Sequence, residues 1–356
     1  MNLPTFDIFI KPIDFRELKS DLWNDDPVPA SLKINKKRVE IDLSYRGSHI
    51  REFIKKSYHI SLFNFKGLNE LHLNAEYKDP SLIRNKLSLD FFTSIGCLSP
   101  SSKHVFLSIN GKAEGVYLQL ESVDHNFLKK RNLPHGPIFY AINDDANFSL
   151  VSPIDNKAKT ELYAGYERKT GLKSDSLILA EFIYLLNTTG KQEFETTIPS
   201  WLDIKQYFKW LAGVVCTQNY DGFVHNYALY RNEGTGLYEI LPWDYDATWG
   251  RDINGLKMRY DYLRIEGFNT LTARLLDIDK FRKQYKEIMR GILDENFTVE
   301  AIEPQIHHLH STIRPYLTQD PYVQDRIDIF DKEPDFILQF LKDRQNYLRK
   351  HLKDLD

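Results

Sequence analysis

The sequence predicts an α+β chain of two lobes, sheet-rich over residues 1–122 and mainly helical over 123–356. Three observations carry this. Up to about residue 121, apolar side chains recur mostly at every second position, the period of a half-buried strand. Beyond it they recur at three and four residues, the period of a helix packed on one face. One stretch of the helical half, 226–241, reverts to strand patterning around a glycine-rich turn. A chain of 356 residues is long enough to bury two separate cores.

Phe6 to Ile10 reads as a first strand, followed by polar and helical material to residue 38. Val39, Ile41, Leu43 and Tyr45 alternate with Glu40, Asp42 and Ser44, which predicts a half-buried strand. Arg46-Gly47-Ser48 opens a bend to Glu52, and the chain is expected back as a strand over Phe53 to Leu62. On that strand Ile54, Lys56, Tyr58, Ile60 and Leu62 share one face, and Lys55 lies on the other. Lys56 is thus expected on the apolar side, where an ammonium is costly unless it meets an anion. It either snorkels past the strand edge or reaches a phosphate. Asp79-Pro80 predicts a helix start, with Leu82, Ile83, Leu87, Phe91 and Ile95 at helical spacing and Gly96 as the stop. Val105–Ile109, Asn110-Gly111 and Val116–Glu121 predict a hairpin. By pattern alone Glu121 is a solvated strand end.

In the second lobe, 133–137 reads as a loop and 143–175 as a polar accessory insertion. Ser176–Leu186 is a buried helix. Ser200 with Asp203 three residues on resembles a capping box that opens a helix over Trp201–Thr217. After Gly250, helices are expected near 269–277, 279–293, 298–317 and 334–352, with His307, His308 and His310 on the surface. Composition is that of a folded chain, 42% hydrophobic and 27% charged. No apolar run approaches the roughly 20 residues of a spanning helix, and the first residues lack the pattern of a secretory signal. Cys97 and Cys216 read as buried free thiols, which fits a reducing compartment. The net charge of −3 excludes a broadly basic nucleic-acid binder. No nucleic-acid or membrane partner is expected; oligomeric state is left open.

The chemistry concentrates in Asn219 to Gly250. The helix to Thr217 delivers the chain into Asn219-Tyr220-Asp221, with Asn226 five residues after Asp221. Strands over Asn226–Arg231 and Leu237–Leu241, joined by Asn232-Glu233-Gly234-Thr235-Gly236, return the chain to its starting end. Asp244 is therefore expected beside Asn226 and Asp221. A carboxylate with a second Asp/Asn pair around a gap is what a Mg²⁺-nucleotide and a base-assisted phosphoryl transfer require.

The stretches YRGSHIREFIKKSYHI (45–60), LNAEYKDPSLIRNKLSLDFFTSIG (73–96), NGKAEGVYLQLESVDHNFL (110–128) and NYDGFVHNYALYRNEGTGLYEILPWDYDATWG (219–250) closely resemble the CotH family of atypical, spore-coat-associated protein kinases. The resemblance implies a divergent bilobal protein kinase-like fold, with ATP and Mg²⁺ or Mn²⁺ as cofactors. It makes Asp221 the catalytic aspartate, and Asn226 and Asp244 the metal-binding residues. Lys56 becomes the lysine on the nucleotide phosphates, Arg46 a phosphate contact in a reduced glycine loop, and Glu121 a hinge residue bordering the adenine. Glu76 and Asp90 are offered as carboxylate partners of Lys56. The chain departs from the usual kinase pattern in having Asn219-Tyr220 before Asp221 and Tyr245-Asp246 after Asp244. Asp246 accordingly either helps with a second metal or, as the first expectation, holds its loop by hydrogen bonds. The implied substrates are Ser residues (also Thr) of spore coat proteins with Ser/Lys/Arg-rich segments, whose basic chains Asp144, Asp145 or Asp252 would receive. The implied location is the mother-cell cytoplasm and then the spore coat. Two other readings share these residues: a coat morphogenetic protein acting by binding, and a metal-dependent phosphotransferase acting on a small molecule.

Overall fold

The strand periodicity of residues 1–122 resolves into a barrel. The computed structural model describes residues 2–34, 37–62 and 70–356. In chain order the segment 1–122 holds β1 (Thr5–Ile10), α1 (Pro12–Ser20), β2 (Val28–Ile34), β3 (Lys37–Tyr45), β4 (Tyr58–Leu62), β5 (Glu70–Asn74), α2 (Arg84–Ser94), β6 (Ser102–Ile109) and β7 (Lys112–Glu121). Its strands close in the order β1-β2-β3-β4-β5-β7-β6. Inward residues alternate as the period of two requires: Ile8 and Ile10, Ile41 and Leu43, Tyr58 and Ile60, Leu71 and Leu73, Val105 and Leu107 share one core. The β6–β7 turn is the two-residue Asn110-Gly111, with φ 51° and 77°, which these residue types tolerate. Closure comes from parallel pairing of β1 with β6, Thr5 opposite Phe106, about a hundred residues apart.

Three expectations for residues 1–122 are corrected. The polar and helical material expected up to residue 38 holds β2 and the start of β3 as well as α1. The strand expected from Phe53 begins only at Tyr58, because His49–Glu52 is a 3₁₀ turn and the chain stays bent after it. The helix expected from Asp79 begins at Arg84. Leu82 has φ 56°, which no right-handed helix permits, and the Asp79 carboxylate instead accepts the backbone N–H of Ser81 (2.8 Å) and Arg84 (3.0 Å). At its other end Gly96, at φ 76°, lets two reversed backbone bonds close α2, from Gly96 to Thr93 and from Cys97 to Phe92, both 3.0 Å. The apolar face of α2 (Leu87, Phe91, Phe92) joins the large core built mainly by the later helices, not the barrel interior.

The segment 123–356 comprises α3 (His125–Lys130), β8 (Ile138–Ala141), β9 (Tyr166–Thr170), α4 (Asp175–Thr188), α5 (Lys191–Thr197), α6 (Ile204–Thr217), β10 (Tyr227–Arg231), β11 (Tyr238–Pro242), α7 (Thr270–Leu276), α8 (Asp279–Glu295), α9 (Val299–Ile313), α10 (Ile327–Phe330) and α11 (Glu333–His351). The polar excursion after residue 142 returns as β9, so the hairpin lies in a sheet of order β11-β10-β8-β9. Asp203 caps α6 itself, accepting the Gln206 N–H at 3.0 Å, where it was expected three residues inside the helix. Cys97 and Cys216 are both buried and free. No helix among the described residues is long and apolar enough to cross a membrane.

Candidate active site

Helix α6 turns Lys205, Gln206 and Lys209 outward in its first half, but every residue from Trp210 to Thr217 is buried, so its end is a fixed point. Gln218 takes a left-handed backbone (φ 58°) that stops the helix, and Asp221 follows in a 3₁₀ turn. Asn219 binds two loops at once. Its Oδ1 accepts the Gly222 N–H at 3.1 Å, and its Nδ2 donates to the Asp244 carbonyl at 3.4 Å. The hairpin register puts Tyr227 opposite Pro242, and the Trp243 N–H donates to the Asn226 carbonyl at 3.1 Å. Asn226 and Asp244 thus leave the two strands at one end, both at φ 59°. Asn and Asp tolerate this conformation best among residues with a side chain, and strained backbone of this kind clusters at functional sites.

The loop after Asp244 is held from α2. Asn85 Oδ1 accepts the Tyr245 N–H at 3.2 Å, Trp249 Nε1 donates to Ser88 Oγ at 2.9 Å, and Arg84 Nε donates to the Thr248 carbonyl at 2.9 Å. Arg84 is fully buried, and its guanidinium also meets Asp79 (2.6 Å) and Glu333 of α11 (2.7 Å). One face of α2 therefore fixes the loop, and α11 braces it through Glu333.

Asp221, Asn226, Asp244 and Asp246 line a cavity of about 190 Å³, together with Glu76, Asn74, Lys55 and Ser57 from the barrel side. Burial raises the pKa of all three aspartates. At Asp221 the carboxylates of Asp144 and Asp244 add to the rise while His225 opposes it. At Asp244 the opposing charges are Arg46, His225 and His49. At Asp246 the neighbours Asp244 and Asp79 push further the same way.

The structure does not bring every expected residue to this cavity. Lys56 turns away from it, and its ammonium donates to the Arg51 carbonyl at 2.5 Å. Lys55 takes the inward place. It is 1% exposed, lines the cavity, and donates to Asp320 Oδ2 (2.8 Å) and the Val116 carbonyl (2.6 Å). The face assignment failed because the strand starts five residues later than the pattern suggests, leaving Ile54 72% exposed. Burial lowers the Lys55 pKa, and Asp320 offsets this. Glu121 is not among the lining residues either. Its carboxylate accepts from the Ser101 N–H (3.0 Å), Lys130 (3.0 Å) and Arg131 (2.8 Å), and these partners hold its pKa at about 2 against its burial. Arg46 is not among the lining residues, although its partner Asn74 is. It is bonded to Asn74, stands 5.7 Å over the Trp243 ring, and acts on Asp244 through its charge. Of the offered lysine partners, Asp90 pairs with Lys86, while Glu76 is in the cavity. Asp144 pairs with His225 at 2.9 Å, and the Asp252 carboxylate closes its own turn.

Asn219, Asn85 and Lys55 were missed as site residues by sequence reasoning. Asn219 alone carried a signal, standing where His-Arg precedes the aspartate in kinases. Asn85 and Lys55 acquire their roles from partners 160 and 265 residues away.

The model of the CotH kinase protein family matches residues 43–348, and the chain belongs to this family. It is 56% identical to the inner spore coat protein H of Bacillus subtilis (strain 168), over 99% of both chains. It is 32% identical to that organism's inner spore coat protein H-like protein, over 85% of this chain and 87% of the relative. Among solved structures, it aligns over 99% of its length with the Helicobacter pylori proinflammatory kinase CtkA (99% of that chain, TM-score 0.38). It aligns over 99% with a chain of the Shewanella oneidensis MR-1 HipA–HipB toxin–antitoxin complex with operator DNA (74% of that chain, TM-score 0.42). Identity is 11% in both, and superpositions this loose say nothing about chemistry.

Proposed function

We propose that this CotH-family chain is an ATP-dependent protein kinase of divergent bilobal, kinase-like fold, acting on Ser and Thr hydroxyls of spore coat proteins. The observation that carries the reading is the single cavity lined by Asp221, Asn226 and Asp244 from the second lobe and by Lys55 from the barrel. Asp221 accepts the proton of the acceptor hydroxyl as its oxygen bonds to the γ-phosphorus and the bond to the β-phosphate oxygen breaks, releasing ADP. Lys55, in the place expected for Lys56, orients phosphate oxygens. Among the described residues its ammonium meets Asp320 and the Val116 carbonyl, which leaves one of its three donors for them. The oxygen donors of Asp244 and Asn226 fit Mg²⁺ or Mn²⁺, and would hold it against the nucleotide. When bound, that ion supplies charge compensation on the phosphates.

The names of the B. subtilis relatives support a spore coat destination for this chain as well, reached from the mother-cell cytoplasm. Coat proteins with Ser/Lys/Arg-rich segments are the proposed substrates.

Purified protein with labelled ATP and Mg²⁺ or Mn²⁺, with and without a Ser/Lys/Arg-rich peptide, tests this. The reading predicts phosphoserine on the peptide, abolished in a folded Asp244→Ala variant. Absence of nucleotide binding and of transfer with either metal would sink it and leave a binding role in coat assembly. Label confined to a small molecule would overturn the protein substrate.

A further inference from the structure

Glu76 is held in an unusual way. It sits between β5 and α2 on a left-handed backbone (φ 48°) and is 5% exposed. One carboxylate oxygen accepts from Asn85 Nδ2 at 3.1 Å. The other, Oε2, is buried with no hydrogen-bond partner among the described residues. The side chain lines the same cavity as Asp244 and Asp246, and both carboxylates repel its charge. Arg46 and Lys55 are close enough for their fields to reach Glu76, and both are engaged elsewhere, Arg46 with Asn74 and Lys55 with Asp320. A buried carboxylate oxygen without a donor is costly, and facing two further acids makes it more so. A cation bound in the cavity relieves both costs.

The donors are all oxygens, which selects a hard divalent ion. Of the acids that repel Glu76, Asp246 acts most strongly and Asp244 next, and Asn85 anchors Glu76 beside both. Its Nδ2 holds Glu76 while its Oδ1 holds the Tyr245 N–H at 3.2 Å, tying Glu76 to the backbone link between Asp244 and Asp246. Among the described residues no three acidic, histidine or cysteine side chains already converge as a metal cage. Mg²⁺ and Mn²⁺ sites in phosphoryl-transfer enzymes need none, since one or two carboxylates suffice when water and phosphate oxygens complete the shell.

We propose that Glu76 and Asp246 form a second divalent-cation site, distinct from the Asn226–Asp244 pair, which takes Mg²⁺ or Mn²⁺ together with nucleotide phosphate oxygens. The nucleotide half of this rests on the kinase reading above; the cation half does not. The site gives Asp246 a role other than loop bonding and explains why a glutamate is kept in a strained backbone facing like charges.

The test counts Mn²⁺ bound per chain, from the electron paramagnetic resonance signal of the free ion. Full-length wild type, Glu76→Gln, Asp246→Asn and Asn226→Ala are compared, each with Mn²⁺ alone and with Mn²⁺ plus a non-hydrolysable ATP analogue. With the analogue, wild type binds two ions. Glu76→Gln and Asp246→Asn each bind one and still bind the analogue, and adding Asn226→Ala to Glu76→Gln removes the remaining ion. With Mn²⁺ alone, the rise in melting temperature seen in wild type shrinks in Glu76→Gln. Two ions retained in Glu76→Gln, or only one in wild type, would overturn the site. So would a metal-free Glu76→Gln protein that melts well below wild type, since Glu76 would then be a structural acid. If wild type failed to bind the analogue but lost Mn²⁺ on Glu76→Gln, the kinase reading would fall and the cation site would stand.

Discussion

Glu121 and Glu76 are both buried glutamates at the exits of barrel strands, and their surroundings are opposite. Glu121 ends β7 among a serine, a lysine and an arginine, and its pKa is held at about 2. Glu76 follows β5 among Asp79, Asp244 and Asp246 with one amide donor, and its pKa is raised well above the usual range. The first carboxylate is fully engaged in holding α3 against the barrel, with nothing left for a ligand. The second has an unused oxygen and an unbalanced charge. On the proposed kinase reading, function lies where acids lack partners, and the acid with the most partners, although it sits where a hinge was expected, serves the architecture.

This contrast is breakable. The largest effect is expected at the under-partnered end. Asp221→Asn should lower phosphate transfer by about 10³-fold or more while circular dichroism and melting temperature stay close to wild type. An unfolded variant, or one with near-full transfer, would count against Asp221 as the proton acceptor. Next come the adjacent lysines. Lys55→Ala leaves Asp320 buried and unpaired and should cost about 3–5 kcal/mol in denaturant unfolding, whereas Lys56→Ala should stay within about 0.5 kcal/mol. Pairing Lys55→Met with Asp320→Asn should recover much of the stability without recovering transfer, separating the lysine's structural part from its catalytic one.

A smaller effect is expected at Glu121. Its depressed pKa means that its contribution is present above the unfolded value of 4.5 and is lost as pH falls toward about 2. Glu121→Gln should therefore cost about 2 kcal/mol at neutral pH, discounted for its partly exposed basic partners, and the gap to wild type should close on titration from about pH 5 to pH 2. The smallest effect has the opposite sign. Metal-free Glu76→Gln should match or exceed wild type by up to about 1 kcal/mol, because it removes a charge from an acidic cavity while keeping one hydrogen-bond acceptor.

How much of this was legible in the sequence follows from range. The hairpin at 226–242 was readable because strand period and turn chemistry are local, and its register then puts Asn226 and Asp244 at one end. Lys55 was misread as outward because alternation was extended back through a segment that folds as a 3₁₀ turn and bend; its partner Asp320 lies 265 residues on. Glu121 was misread because a glutamate at a strand exit looks the same whether or not a following helix delivers Lys130 and Arg131 onto it. Barrel closure by β1 and β6 has no local signature at all. Asn219 and Asn85 show the same limit on a smaller scale, since an asparagine bridging two loops is recognisable only once both loops are in place.

The most direct measurement is phosphate transfer from labelled ATP to a Ser/Lys/Arg-rich peptide by wild type, Asp244→Ala and Glu121→Gln, compared below the melting temperature of all three. The account predicts that Asp244→Ala is inactive although folded, and that Glu121→Gln retains transfer and nucleotide affinity within a few-fold despite lower stability. A folded Glu121→Gln protein that has lost ATP binding, beside an Asp244→Ala protein that transfers phosphate, would contradict it.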